Sequence, residues 1–131
     1  MNLKSYFTEH KGTGILATAD GEGRVNAAIY ARPQVAEDGS LVMIMRDRLT
    51  RSNLQQNPHA AYLFIEQGPG YRGMRLFLRR LREDDDPELI AQMTRPWLSE
   101  EEDAAAGPKY LTWFAVDKVL SLVGGEEISL D

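Results

Sequence analysis

Residues 14–35, Gly14-Ile15-Leu16-Ala17-Thr18-Ala19-Asp20-Gly21-Glu22-Gly23-Arg24-Val25-Asn26-Ala27-Ala28-Ile29-Tyr30-Ala31-Arg32-Pro33-Gln34-Val35, decide the fold. Gly14 to Ala19 reads as a strand, and Asp20-Gly21-Glu22-Gly23 is a turn rich in residues that tolerate positive φ. Arg24 to Val35 reads as a second strand, so the two form a hairpin. Pro33 belongs where no ladder hydrogen bond is needed.

Toward the N-terminus, Leu3, Tyr6, Phe7 and His10 follow the spacing of a short amphipathic helix that ends near Gly12. On the other side, Ala36 to Ser40 is a polar turn, and Leu41-Val42-Met43-Ile44-Met45 is apolar enough for a third strand buried on both faces. A short helix is expected from an entry at Asp47 to Thr50 to a stop at Asn57-Pro58. His59 to Glu66 gives a fourth strand. Met74, Leu76 and Leu78 then alternate with Arg75, Phe77 and Arg79 in a fifth, whose phase slips at Arg79-Arg80 before Leu81, the mark of a bulge. Asp86-Pro87-Glu88 starts another helix, with Leu89, Ile90 and Met93 as its buried stripe and Pro96 as its limit. Ser99 to Gly107 is either a solvated helix or a loop, and Tyr110 to Val123 is a sixth strand. Consecutive strands on short turns, with helices in only two interruptions, describe a mainly β fold: an antiparallel sheet closed into a small barrel with short peripheral helices.

At 131 residues, against roughly 150 per domain, the chain makes one domain, 1–131. No apolar run approaches the ~18 residues that span a bilayer, so no membrane role is expected. The N-terminus lacks the pattern of a secretory signal and the chain has no cysteine, which reads as cytoplasmic. Without cysteine, and with His10 and His59 alone, no metal site is expected. The net charge of −5 hides an uneven distribution. From Glu83 to Asp103, nine acids face Arg95 alone, a charge of −8 that leaves the rest at +3. Such a chain is a poor nucleic-acid binder, yet it suits one small anionic ligand.

Gly68-Pro69-Gly70-Tyr71-Arg72-Gly73 matches the spacing of a dinucleotide fingerprint, but it joins strand to strand and so reads as a hairpin loop. More informative is Arg46-Asp47-Arg48-Leu49-Thr50-Arg51-Ser52, which gathers three guanidinium groups and two hydroxyls where a strand ends and a helix begins. Unpaired N–H groups at a helix start, joined by forked arginine donors, suit a phosphate monoester. The alternative is that Thr50 merely caps the helix and the arginines are solvated. Asn26 to Tyr30 forms a small, flat strand middle, able either to receive a planar ring or to pack tightly against a helix. Tyr62, Phe64, Tyr110 and Trp113 suit a core, an interface or a stacked cofactor.

The order of these elements resembles the pyridoxamine 5'-phosphate oxidase-like FMN-binding split barrels. The likeness runs from about Leu3 to Val123 and is carried by R-V-N-A-A-I-Y-A-R-P and by the arginine- and threonine-rich turn leading through N-P-H-A into the fourth strand. It implies a six-stranded antiparallel split barrel that works as a homodimer, with FMN at the subunit interface. It also implies an oxidoreductase that exchanges electrons with a small molecule. A non-catalytic flavin carrier or electron-transfer protein is the alternative, and a deazaflavin or haem binder a more remote one. By similarity, Asn26, Ala27, Ala28, Ile29 and Tyr30 run beside the isoalloxazine ring, Met45 and Arg46 lie near its edge, and Arg48, Thr50 and Arg51 fall on phosphate-binding positions. Many relatives carry lysine in this turn, where Leu49 and Thr50 stand here. Replacing Arg48 and Arg51 together is expected to weaken FMN binding and leave the fold intact. Oxidases of pyridoxamine phosphate itself grip substrate with a C-terminal histidine, and this chain has none after His59, which argues against that activity. Tyr110, Trp113 and Phe114 offer more apolar surface than one small barrel hides, which marks the last strand as the expected dimer contact.

Overall fold

The computed structural model describes residues 1–93 and 99–131. Its elements are helix α1 (Leu3–Glu9), strands β1 (Gly12–Ala19), β2 (Val25–Ile29), β3 (Gln34–Val35) and β4 (Leu41–Arg46), helix α2 (Leu49–Gln56), strands β5 (His59–Glu66) and β6 (Gly73–Asp84), helices α3 (Pro87–Met93) and α4 (Glu100–Ala105), and strand β7 (Lys109–Ser121). All strand pairs are antiparallel, in the order β2-β1-β5-β6-β7-β4-β3.

The expected second strand, Arg24 to Val35, is two strands, so the sheet has seven where the sequence suggests six. β2 forms one edge of the sheet and β3 the other. A flat sheet would hold those edges about 29 Å apart, six spacings of about 4.8 Å, whereas Ile29 and Gln34 are joined by five residue steps that reach at most about 18 Å. The sheet must therefore roll into a barrel, and the break at Tyr30–Pro33 is where the chain crosses the split. Tyr62 pins that crossing by donating from its hydroxyl to the carbonyls of Tyr30 and Ala31, both at 3.1 Å. Gly14 makes room, since a Cβ there would overlap the Tyr62 hydroxyl. Arg32 completes the fastening with hydrogen bonds from Nη1 to the carbonyls of Phe7 and His10, which end α1.

The barrel interior is filled by alternate residues of β1, β4, β5, β6 and β7, among them Leu16, Met43, Tyr62, Phe64, Leu76 and Phe114, with Leu3, Tyr6 and Phe7 of α1 and Leu54 of α2 packed against them. Burial of this kind is the main stabilising term. The bulge appears where the phase slips, with Leu81 the extra residue between Arg80 and Arg82, and a second shift follows Phe77. Asp86 caps α3, its side chain accepting from the Glu88 N–H at 3.0 Å. Pro96, the expected limit of that helix, lies outside the described residues. Ser99 to Gly107 contains a solvated helix, α4, opened by a capping box of Ser99 and Glu102. No helix among the described residues is long and apolar enough to cross a membrane.

The last strand is not an exposed apolar surface. Phe114 lies in the interior, Trp113 packs with Ile90, Val42 and Leu111 beneath α3, and Tyr110 is covered by the Arg51 guanidinium at 3.7 Å. Two of these partners, Ile90 and Arg51, come from helices whose positions strand periodicity does not give. The exposed apolar surface lies instead across β2, β1 and β5. In register, Ile29, Ile15 and Leu63 form one row and Ala27, Ala17 and Ala61 the next. Val25 and Ile29 are 83% and 77% exposed.

Candidate functional site

Because β3 is so short, it pairs only with Leu41 and Val42, and the backbone of β4 beyond them has no neighbour on that side. The outer edge of β2 is likewise unpaired. A groove of about 1310 Å³ runs between these two edges. Both faces of β4 border it, Met43 and Met45 from the interior side and Val42 and Ile44 from the other, so it follows the strand's edge. An edge of this kind presents a row of N–H donors and C=O acceptors.

Of the site residues expected from sequence, the groove gathers Asn26, Ala28, Ile29, Tyr30, Met45, Arg46, Arg48, Leu49 and Thr50. Ala27 and Arg51 do not border it. Ala27 points to the exposed sheet face, as strand alternation requires once Asn26 and Ala28 turn inward. Arg51 turns behind the turn, where Nε donates to Glu83 at 2.6 Å and Nη1 to Asp47 at 2.9 Å while the guanidinium lies over Tyr110. Arg80 and Gln55 donate to the same Glu83 carboxylate. Burial alone would raise the Glu83 carboxyl, but these donors outweigh it and hold it below the usual range.

Arg48 differs from Arg51 in every respect. It is the N-cap residue of α2 and forms no side-chain cap, and its side chain has no hydrogen bond or ion pair among the described residues. Thr50 is in the first turn and is not the cap; it is buried beside Tyr30. Burial raises the Tyr30 phenol, countered in part by the Thr50 hydroxyl and the charge of Arg48. The groove therefore ends at a helix start with uncapped N–H groups, a hydroxyl and an unpaired guanidinium, an arrangement that accepts an anion.

Lys4 and Thr8 of α1, Arg32, Met93, Asp103 and Lys109 also border the groove, and none of these is evident from local motifs. Lys109 is the cross-strand partner of Arg46, a relation that only the pairing of β4 with β7 reveals. Asp103 joins them, with Oδ1 2.6 Å from Arg46 Nη2 and Oδ2 3.0 Å from Lys109 Nζ. Lys109 and Arg46 hold its carboxyl below the usual carboxylate range. The Gly68–Gly73 motif lies in the β5–β6 hairpin loop, away from the groove. Among the described residues, no cluster of His, Cys, Asp and Glu has the arrangement of a metal site.

No protein-family model matches the chain, and no curated protein does. Solved structures do. HutZ, a heme storage protein from Vibrio cholerae, is 20% identical over 92% of this chain and 95% of its own, with a TM-score of 0.69. An FMN-binding protein from Syntrophomonas wolfei subsp. wolfei is 14% identical over 94% of this chain and 85% of its own, with a TM-score of 0.68. An F420 reductase is 20% identical over 88% and 94%, with a TM-score of 0.62. At these identities the likeness is one of fold, shared by proteins of different cofactor use. The strand order, the split between β2 and β4 and these matches together show that the chain has a split-barrel fold, the fold that the sequence resemblance implies.

Proposed function

We propose that the groove binds FMN and that the chain is a flavin-dependent oxidoreductase of the cytoplasm that exchanges electrons with a small molecule. The observation that carries this reading is a slot between two unpaired strand edges that ends at Arg48. A planar ring with carbonyl, imide and ring-nitrogen positions along its rim matches edges that offer backbone donors and acceptors, and a phosphate matches the start of α2. Arg48 and the N–H groups of Leu49 and Thr50 would hold the phosphate, with Thr50 fixed beside Tyr30. Asn26 and Ala28 on one side and the β4 edge at Met43–Met45 on the other would hold the ring. The flavin supplies the redox chemistry when bound, and the chain's residues bind it, orient it and set the polarity of its surroundings.

Haem is less well supported, since His10 stacks on Tyr6 and His59 starts β5, and neither borders the groove to offer an imidazole to iron. Purified protein with the absorption bands of an oxidised flavin, or a tight FMN titration, is the expected result; a colourless protein that ignores added FMN would refute the reading. Turnover of NADH or NADPH by the loaded protein separates an enzyme from a carrier.

The assembly we propose is a homodimer. The groove is wider than the ~300–1,000 Å³ of an ordinary ligand pocket, so one chain does not wall it on every side. β2 borders the groove with Asn26, Ala28 and its last residue Ile29, and carries Val25, Ala27 and Ile29 on the apolar sheet face, so Ile29 belongs to both. A second copy seated on that face would lie next to the groove and complete its wall. Sedimentation equilibrium should give a dimer mass for the wild type and a monomer for Ile15→Lys, which sets a charge between Ile29 and Leu63 in the middle of the face. A monomeric wild type would exclude this assembly.

A further inference from the structure

Arg46 and Lys109 are fixed side by side by the pairing of β4 with β7, and both border the groove. A carboxylate already bridges them, one oxygen to each cation. That carboxylate, Asp103, comes from α4, a helix whose Glu101, Glu102, Ala104 and Ala105 are exposed and which contributes no residue to either hydrophobic cluster. Apart from the ion pairs, Arg46 holds this segment through the backbone carbonyls of Asp103 and Gly107. Among the described residues the attachment of α4 to the barrel is thus polar, and it passes through the two cations.

We propose that Arg46 and Lys109 form an oxyanion subsite of the groove that Asp103 fills in the free chain, and that a phosphate-bearing ligand displaces Asp103 and releases α4. The proposal rests on the reading that the groove is the ligand site, and it adds a second anion position to the one at Arg48. The Asp103 side chain is 37% exposed, against 17% for Arg46 and 19% for Lys109, so solvent competes for the carboxylate more than for its cations and weakens both pairs. A dianionic phosphate brings more charge and more acceptor oxygens to the same two donors than a single carboxylate does. Among the described residues α4 has no apolar anchor, so little else there opposes the exchange.

The probe is inorganic phosphate, titrated calorimetrically into flavin-free protein, with acetate as the monoanionic control. Asp103→Asn and Asp103→Ala should each bind phosphate about tenfold more tightly than wild type, the factor expected if the subsite is open about a tenth of the time in the free chain. Acetate should gain less. The added Lys109→Gln change should abolish the gain, which separates this subsite from phosphate held at Arg48. In wild type, phosphate should speed amide exchange across residues 100–106. Phosphate affinity unchanged in both Asp103 variants, a gain that survives Lys109→Gln, or exchange of α4 indifferent to phosphate would each overturn the proposal and leave Asp103 a structural strap. Because no flavin is used, the outcome does not depend on whether FMN binds at Arg48.

Discussion

Two carboxylates from the same acidic stretch, Glu83 and Asp103, each hold a pair of cations beside the turn after β4, and they differ in what supports them. Glu83 is on β6, within the sheet, and takes Arg51 and Arg80 against the ring of Tyr110. Asp103 is on a solvated six-residue helix and takes Arg46 and Lys109 at the mouth of the groove. The chemistry is the same, but one carboxylate is fixed by a hydrogen-bonded ladder and the other by the cations themselves. Between the two, Arg48 has no partner among the described residues. A cation matters to a ligand only to the degree that the protein leaves it unpaired, and the three arginines of this turn span that range.

The largest expected effect is at the unpaired one. Arg48→Ala removes a charge-assisted hydrogen bond of about 1.5–3 kcal/mol, so FMN affinity should fall roughly 10- to 100-fold. The melting temperature should not move, because the side chain supports nothing else. If fluorescence titration gives an unchanged FMN affinity, the contrast between Arg48 and its neighbours has no functional content.

Arg51→Ala should reverse that pattern. It strands a half-buried carboxylate and uncovers Tyr110, a loss of about 2 kcal/mol, or about 7 °C in melting temperature for a chain of this size. FMN affinity, measured below the transition, should stay within about twofold of wild type. This revises the expectation that both arginines bind phosphate and that their joint removal spares the fold. A stable Arg51→Ala protein with weakened FMN binding would restore it.

What the sequence made legible, and what it did not, follows the same division. Alternation at Met74, Leu76 and Leu78, the Asn57-Pro58 stop and the Asp86-Pro87 start are local signals, and the strands and helices they mark are present. The break inside residues 24–35 was hidden because alternation does not tell which strand a segment pairs with; β2 joins β1 while β3, four residues on, joins β4. Arg48 and Arg51 look equivalent in sequence, and only the fold brings Glu83, 32 residues away, against one of them. Tyr110 and Trp113 likewise read as surplus apolar area until Arg51 and α3 cover them. The turn is legible because its residues are consecutive; the Arg46–Lys109–Asp103 cluster is not, because strand pairing assembles it.

The smallest effect concerns acid stability, and it compares the two carboxylates directly. A carboxyl whose folded pKa lies below its unfolded value near 4.5 contributes stability that is complete above that pH and is lost as pH falls through the folded value. Glu83 is such a group, depressed because hydrogen bonds from Arg51, Arg80 and Gln55 exceed the opposing effect of burial. Glu83→Gln should therefore lower the melting temperature at pH 7 and flatten its decline below about pH 4.5. Asp103 is depressed as well, by Lys109 and Arg46, but water reaches it and screens the coupling, so Asp103→Asn should leave the decline nearly as steep as in wild type. Thermal scans between pH 3 and pH 7 test the pair. Equal flattening by both substitutions would mean that α4 is held as firmly as the sheet, and that the difference in support between the two clamps has no energetic counterpart.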